Sequence, residues 1–418
     1  MKVKNLIFFV FLFFWLWGCD SSSSKVKLRF WNGFTGPDGR TILKLVKRFN
    51  KENPDIHVQM QRIDWATYYN KLFVAGIGNR APDIFIIHTS SLMRFAKAKF
   101  LMPLDDLVSG PNGLDVADFD CNVWAKTKID GERCAIPLDI HPWGLYYNKK
   151  IFREAGITNE MGEPKPPTNM AEFIESLKIL KKDKDGDGDI DQWGYVFTFF
   201  RVNIYTFMKQ WGGKFFTADM KKCIVNNPEN IYVLNFCADL IKKKLVPEPE
   251  NLDAWLGFRQ GKVGMVLEGT YMLADLQKQE DLEFGAAPVP QLGPQKATWA
   301  GSHNLCIRKD LSPEKLAAAW KFVKFLSDNS LDWAAAGQIP VRKSLRNTDR
   351  FRSMKTQYAF SKQIPYAKYS PILRSIFELW YEFDFAVEKT MRGRCDAKEA
   401  LDEAAEKYNK TLERQWNQ

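Results

Sequence analysis

Short apolar or alternating runs trade places with stretches of helical spacing along most of this chain. Residues 26–31 (VKLRFW) read as a buried strand, closed by a turn at Asn32 and Gly33. Ile42, Leu45, Val46 and Phe49 then recur at helical spacing until Asn53 and Pro54 stop them. Residues 56–63 alternate and are rich in β-branched side chains, and 83–88 is the short apolar run of a strand covered on both faces. Further strands are expected at 193–197, 264–267, 284–289 and 304–307. Ser312 and Pro313 start a helix to about Ser327, with Leu316, Ala319, Trp320, Val323 and Leu326 on one face. Asp396 and Glu399 open a terminal helix whose stripe is Leu401, Ala404, Ala405, Tyr408 and Leu412. Such alternation predicts an α/β protein with mainly parallel sheets.

The beginning of the chain obeys a different rule. Lys2 and Lys4 precede an apolar run at 6–17, followed by Gly18, Cys19, Asp20 and four serines. The run is shorter than the roughly 20 residues of a membrane-spanning helix and fits a signal peptide over 1–18. Leu16, Trp17, Gly18 and Cys19 resemble the lipobox of bacterial lipoproteins. The resemblance implies that Cys19 is lipidated and that 19–24 is a lipidated N-terminus with a serine linker. An ordinary secretory signal with an incidental cysteine is the alternative. Either reading puts the protein outside the cytoplasmic membrane. Six cysteines remain, with Cys121 and Cys134, or Cys223 and Cys237, as local disulfide candidates and buried thiols as the alternative.

Composition narrows the function classes. The net charge of +10 is spread over 418 residues without a basic cluster, which argues against a nucleic-acid partner. No phosphate loop, dinucleotide fingerprint, nucleophile elbow or zinc-protease helix occurs. Asp183, Asp185, Asp187, Asp189 and Asp191 alternate around Gly186 and Gly188, the pattern of a calcium loop, although Gly194 stands where a bidentate Glu would close it. The expectation is a structural Ca2+ clip and no required cofactor; a solvated acidic turn is the alternative.

Several segments in order carry a family resemblance: Phe30 to Pro37 (FWNGFTGP), Ala81 to Phe85 (APDIF), Ile136 to Lys149 (IPLDIHPWGLYYNK), Glu268 to Tyr271 (EGTY), Trp299 to Asn304 (WAGSHN) and Gln338 to Arg342 (QIPVR). Together they resemble the extracellular solute-binding proteins, family 1, of bacterial ABC importers. The resemblance implies a periplasmic-binding-protein-like fold of type II, with hinge-connected lobes at 25–138 plus 290–335 and at 139–289 plus 336–418. It implies a monomer that takes a sugar or oligosaccharide between the lobes, performs no chemistry, delivers the ligand to permease subunits, and is lipid-anchored in the periplasm or at the cell surface. Carried over by position, the site residues are Thr35, Gly36, His88, Thr89, Ser90, His141, Asn203, Tyr271, Ser302, His303, Arg342 and Trp380. His141 stands where a maltose binder of the family has a ligand-contacting Glu, which implies a different sugar or binding mode. A 14% share of aromatic residues suits sugar rings, whose CH faces stack on Trp and Tyr. A same-fold receptor for a polyamine, anion or metal chelate, and an anchored carbohydrate-active enzyme, are the alternatives.

Overall fold

A computed structural model describes residues 25–249 and 251–416; the signal peptide, Cys19 and the serine linker lie outside the described residues. The strand Val26–Asn32 buries alternate side chains, among them Leu28 and Phe30, and pairs in parallel with Ile56–Arg62 and with Ile84–His88. Helix Asp38–Glu52 covers this sheet with Ile42, Leu45, Val46 and Phe49, as their spacing predicts. His303–Ile307 runs antiparallel beside Ile84–His88, and its other edge pairs with Ile136–Pro137. That register sets His303 directly opposite His88.

A second sheet is organised around Asp139–Asn148, ten consecutive buried residues. Val263–Gly269, Phe284–Ala287, Thr298–Gly301 and Ile339–Pro340 all pair with it antiparallel. Parallel pairs join the sheet at its edges, Trp193–Tyr195 to Val263–Gly269 and Ala367–Tyr369 to Thr298–Gly301. The α/β expectation therefore holds, but the sheets are mixed and not mainly parallel. Strands that cross between lobes re-enter a sheet against its direction, and such crossings need no covering helix.

The lobe limits shift as well. Thr298–Gly301, expected in the first lobe, belongs to the second sheet, and the chain returns to the first sheet at Ser302. The first crossing lies between Ile136–Pro137 and Asp139–Asn148, so Asp139, His141, Ser302 and His303 converge on the hinge. After Ile339–Pro340 the chain is tied back to the first lobe by Arg342 on Asp118 and Arg346 on Asp120.

All six cysteines among the described residues are free thiols, and Cys134, Cys223, Cys237 and Cys306 are buried. Neither local disulfide forms. No helix among the described residues is long and apolar enough to cross a membrane.

Candidate functional site

Between the lobes lies a cleft of about 790 Å³. Its floor is built on Asp139, which is fully buried at the first crossing. Four donors converge on this carboxylate: the His303 backbone N–H at 3.0 Å, His303 Nδ1 at 2.7 Å, His141 Nδ1 at 3.1 Å and Trp333 Nε1 at 2.7 Å. Burial pushes the Asp139 carboxyl up, but His303 and His141 outweigh it and hold it well below the usual carboxylate range. His88 completes the floor, its Nδ1 against the Tyr69 hydroxyl, which also accepts from the His88 backbone N–H at 3.1 Å. Burial, helped by the neighbouring imidazoles, lowers the pKa of His88 and His141. Ring centroids lie 4.4 Å apart for His141 and His303 and 4.7 Å for His88 and His303.

The first-lobe wall is a helix face. Asp64 caps helix Trp65–Ile77 by accepting from the Ala66 N–H, and Trp65 and Tyr69 emerge one turn apart into the cleft. The Trp65 ring lies 6.0 Å from His303, inclined by only 17°. Gly33 makes room for it, since a Cβ there would sit 2.1 Å from the indole. Thr35, Gly36, Thr89 and Ser90 add small polar groups, and Asp38 lies among them with its carboxyl pKa raised by burial.

The second-lobe wall is aromatic. Trp143 and Trp299 meet edge to face at 5.9 Å, and Trp299 Nε1 donates to Ser370 at 2.9 Å, which leaves the indole half-buried. The Tyr271 hydroxyl donates to Glu268 at 3.0 Å. Burial pushes the Glu268 carboxyl up to about 7, against the Gly269 N–H and Tyr271 O–H that favour its charged form. Helix Ile376–Met391 presents Phe377, Trp380, Tyr381 and Asp384 to the cleft, the i, i+3, i+4, i+7 positions of one face. Asp384 accepts Arg201 Nε at 2.6 Å in a two-point pair, and the guanidinium lies 5.3 Å from the Trp380 ring.

Nine sequence-derived residues line the cleft: Thr35, Gly36, His88, Thr89, Ser90, His141, Tyr271, His303 and Trp380. Trp380 is also core, only 8% exposed and packed on Tyr205, Phe215 and Phe383. Three do not line it. Asn203 is fully buried, accepting from the Tyr195 hydroxyl at 2.7 Å and donating to Phe199 O at 2.9 Å, so it pins a helix start. Ser302 is buried at the crossing, where its carbonyl accepts from the Thr89 N–H. Arg342 is held by Asp118 and Asp328 at the far side of the hinge. Sequence reasoning missed Trp65, Tyr69, Trp299, Arg201 and Asp384. Asp64 as a cap, followed by Trp65, Tyr68, Tyr69, Leu72 and Phe73 at helical spacing, was the available signal for the first two. Nothing in sequence pairs Arg201 with Asp384.

In the acidic loop, carboxyl oxygens of Asp183, Asp185 and Asp191 come within 4.8 Å of one another. Asp187 and Asp189 stay outside that group: Asp187 instead accepts the Asp189 N–H, while Gly186 and Gly188 take positive φ at the turn. All three grouped residues are exposed, and Asp183 accepts the N–H groups of Gly186 and Gly188.

Comparisons with known proteins agree with this architecture. A maltotriose-binding protein from Pyrococcus abyssi is 22% identical over 394 residues, covering 89% of this chain and 79% of the relative. The sn-glycerol-3-phosphate-binding periplasmic protein of Escherichia coli K12 is 23% identical over 423 residues, covering 94% of each chain. An ABC substrate-binding protein of Listeria monocytogenes, solved in complex with cycloalternan, superposes with a TM-score of 0.82 at 21% identity, over 93% of this chain and 99% of its own. The profile described as bacterial extracellular solute-binding protein matches residues 34–330, and the chain belongs to that family.

Proposed function

We propose that this protein is the receptor of a bacterial ABC importer and binds an oligosaccharide in its cleft. The observation that carries the reading is that aromatic side chains of both lobes line one cavity, Trp65 from the first and Trp299 and Trp380 from the second. Apolar sugar faces stack on such planes, and the His, Ser, Thr and Arg201–Asp384 groups between them suit hydroxyls. A volume of about 790 Å³ holds a ligand of a few sugar rings. Among the described residues Arg201 is the one Lys or Arg side chain lining the cleft, and Asp384 neutralises it. That balance supports a neutral ligand over a glycerol phosphate or another anion. The same pairing ties up one of the two carboxylates that line the cleft among the described residues, Asp384 and Asp38, which argues against a glycosidase acid pair.

The mechanism is closure of the lobes about the three hinge crossings, favoured by ligand contacts made on both walls at once. Family membership puts the protein outside the cytoplasm. Within this reading Cys19 carries a lipid that holds a monomer at the membrane beside its permease, and Cys19→Ala yields a folded protein that no longer partitions to membranes. The acidic loop takes Ca2+ through Asp183, Asp185 and Asp191, so calcium raises the melting temperature of chelator-treated protein and Asp183→Ala abolishes the rise. The ligand itself is found by thermal shift against mono- and oligosaccharides, where a ligand at 100 times its Kd adds about 2.7 kcal/mol. A panel that leaves the melting temperature unmoved, with glycerol 3-phosphate raising it, overturns the sugar reading.

A further inference from the structure

The floor of the cleft holds more imidazole than sugar recognition calls for. His88, His141 and His303 each line the cavity, and one ring nitrogen of each lies within 4.8 Å of a ring nitrogen of each of the other two. Behind them the Nδ1 atoms are already engaged, those of His141 and His303 by Asp139 and that of His88 by the Tyr69 hydroxyl. With each Nδ1 hydrogen given to these oxygens, every Nε2 is an acceptor, and none has a protein partner among the described residues. Three imidazoles with ring nitrogens this close together do not match a sugar, whose hydroxyls are spread around a ring edge. They match a cation.

We propose that His88, His141 and His303 form a divalent transition-metal site at the hinge floor, with zinc as the ion they suit best. Imidazole is a preferred donor for zinc, copper and nickel, and three histidines with a fourth position open is the arrangement of a zinc site that accepts an exogenous ligand. Metal-bound histidines characteristically give their other N–H to a carboxylate or another fixed acceptor. Asp139 does this for two rings at once, and the Tyr69 hydroxyl oxygen is placed to do it for the third. A tetrahedral ion with Zn–N of about 2.0–2.1 Å needs nitrogens about 3.4 Å apart. The rings therefore have to draw together by no more than about 1.4 Å, a side-chain adjustment. The fourth position faces the cleft, where water or an oxygen of the bound solute completes the sphere. His88 comes from a first-lobe strand, His141 from the first crossing and His303 from the second, so the ion would also bind the hinge strands together.

The test is titration of chelator-treated protein with zinc sulfate by calorimetry, and with cobalt(II) chloride by visible absorption, both without sugar. One ion per chain is expected, with the intense d–d absorption of four-coordinate cobalt. His88→Gln and His303→Gln together should abolish uptake, and Asp139→Asn should weaken it about 10–100-fold as a positioning residue. Tyr69→Phe, which removes only the hydroxyl behind His88, gives a readout if the buried variants fold poorly, and should weaken cobalt binding while the protein still melts cooperatively. His57→Gln, at the exposed remaining histidine, and Asp183→Ala, in the acidic loop, should leave the cobalt spectrum unchanged. The proposal is overturned if neither ion binds stoichiometrically, or if uptake survives loss of His88 and His303. Because no sugar is present, failure here leaves the carbohydrate reading intact, and failure of the sugar panel leaves this one intact.

Discussion

At the floor of the cleft the buried polar groups are held from behind before a ligand arrives, whereas on its walls Trp65 and Trp299 are only partly covered. Asp139 takes four donors in a fully buried setting, and three imidazoles are locked by it and by Tyr69. Trp65 and Trp299 line the cavity and remain half-buried. The floor is where the chain crosses between lobes, so its order fixes how the lobes meet. The half-buried wall residues Trp65 and Trp299 should contribute more to a ligand than to the fold. Stability and affinity should therefore separate by position within one cavity.

The largest effect expected is on the floor. Asp139→Ala strips the partner from four buried donors and should lower stability by about 3–5 kcal/mol, read by urea unfolding. A loss under about 1 kcal/mol would erase the distinction between floor and walls. Trp380 sits on the boundary, lining the cleft while packed in the second-lobe core. Trp380→Ala should cost roughly 3 kcal/mol of stability, the lower end for a buried aromatic, and also weaken sugar binding. Trp65→Ala and Trp299→Ala should do only the latter, costing on the order of 1–3 kcal/mol of affinity by analogy with stacked bases, with melting little changed.

A pH experiment sharpens the same contrast. Glu268 lies behind the wall residue Tyr271, and its carboxyl is raised from 4.5 to about 7. A raised carboxyl pKa stabilises the fold below the unfolded value, and that contribution fades as pH rises through about 7. Glu268→Gln stays neutral, so the melting temperature of the variant should gain on wild type between pH 4.5 and about 7. The buried histidines of the floor have the opposite sign. His88 and His141 are lowered from 6.5, so their contribution holds above that pH and is lost as pH falls. A difference curve for Glu268→Gln that is flat, or runs downward, would contradict this assignment. The smallest effect should come from Asp384→Asn, because the Arg201 pair is about a third exposed and worth at most about 1 kcal/mol.

How much of this was legible in sequence follows the same division. Helices with caps and regular stripes read clearly: Pro313–Asp328 has Ser312 accepting from the Lys315 N–H, and Asp396 accepts from the Glu399 N–H at the start of Ala397–Trp416. The central strand Asp139–Asn148 did not read as a strand, because Pro142 and Gly144 interrupt a stretch that is buried on both faces. Gly144 is there for space, since a Cβ would lie 2.3 Å from the ring of Phe360, on helix Lys355–Ser361. The histidines could be named from motif positions near strand ends. Their convergence on Asp139 could not, because it depends on the cross-strand register of His303 with His88 and on two separate crossings. Arg342 shows the reverse error. It lies in a recognisable segment, but Asp118 and Asp328 draw its guanidinium out of the cleft.

The most direct test of the account is calorimetric titration of the wild type, Trp65→Ala and Trp299→Ala with maltotriose and a panel of related oligosaccharides, and with glycerol 3-phosphate as the anionic comparison. The account predicts one-to-one binding of at least one oligosaccharide, weakened by each substitution although the two residues belong to opposite lobes. Heat from glycerol 3-phosphate alone, undiminished in both variants, would contradict it.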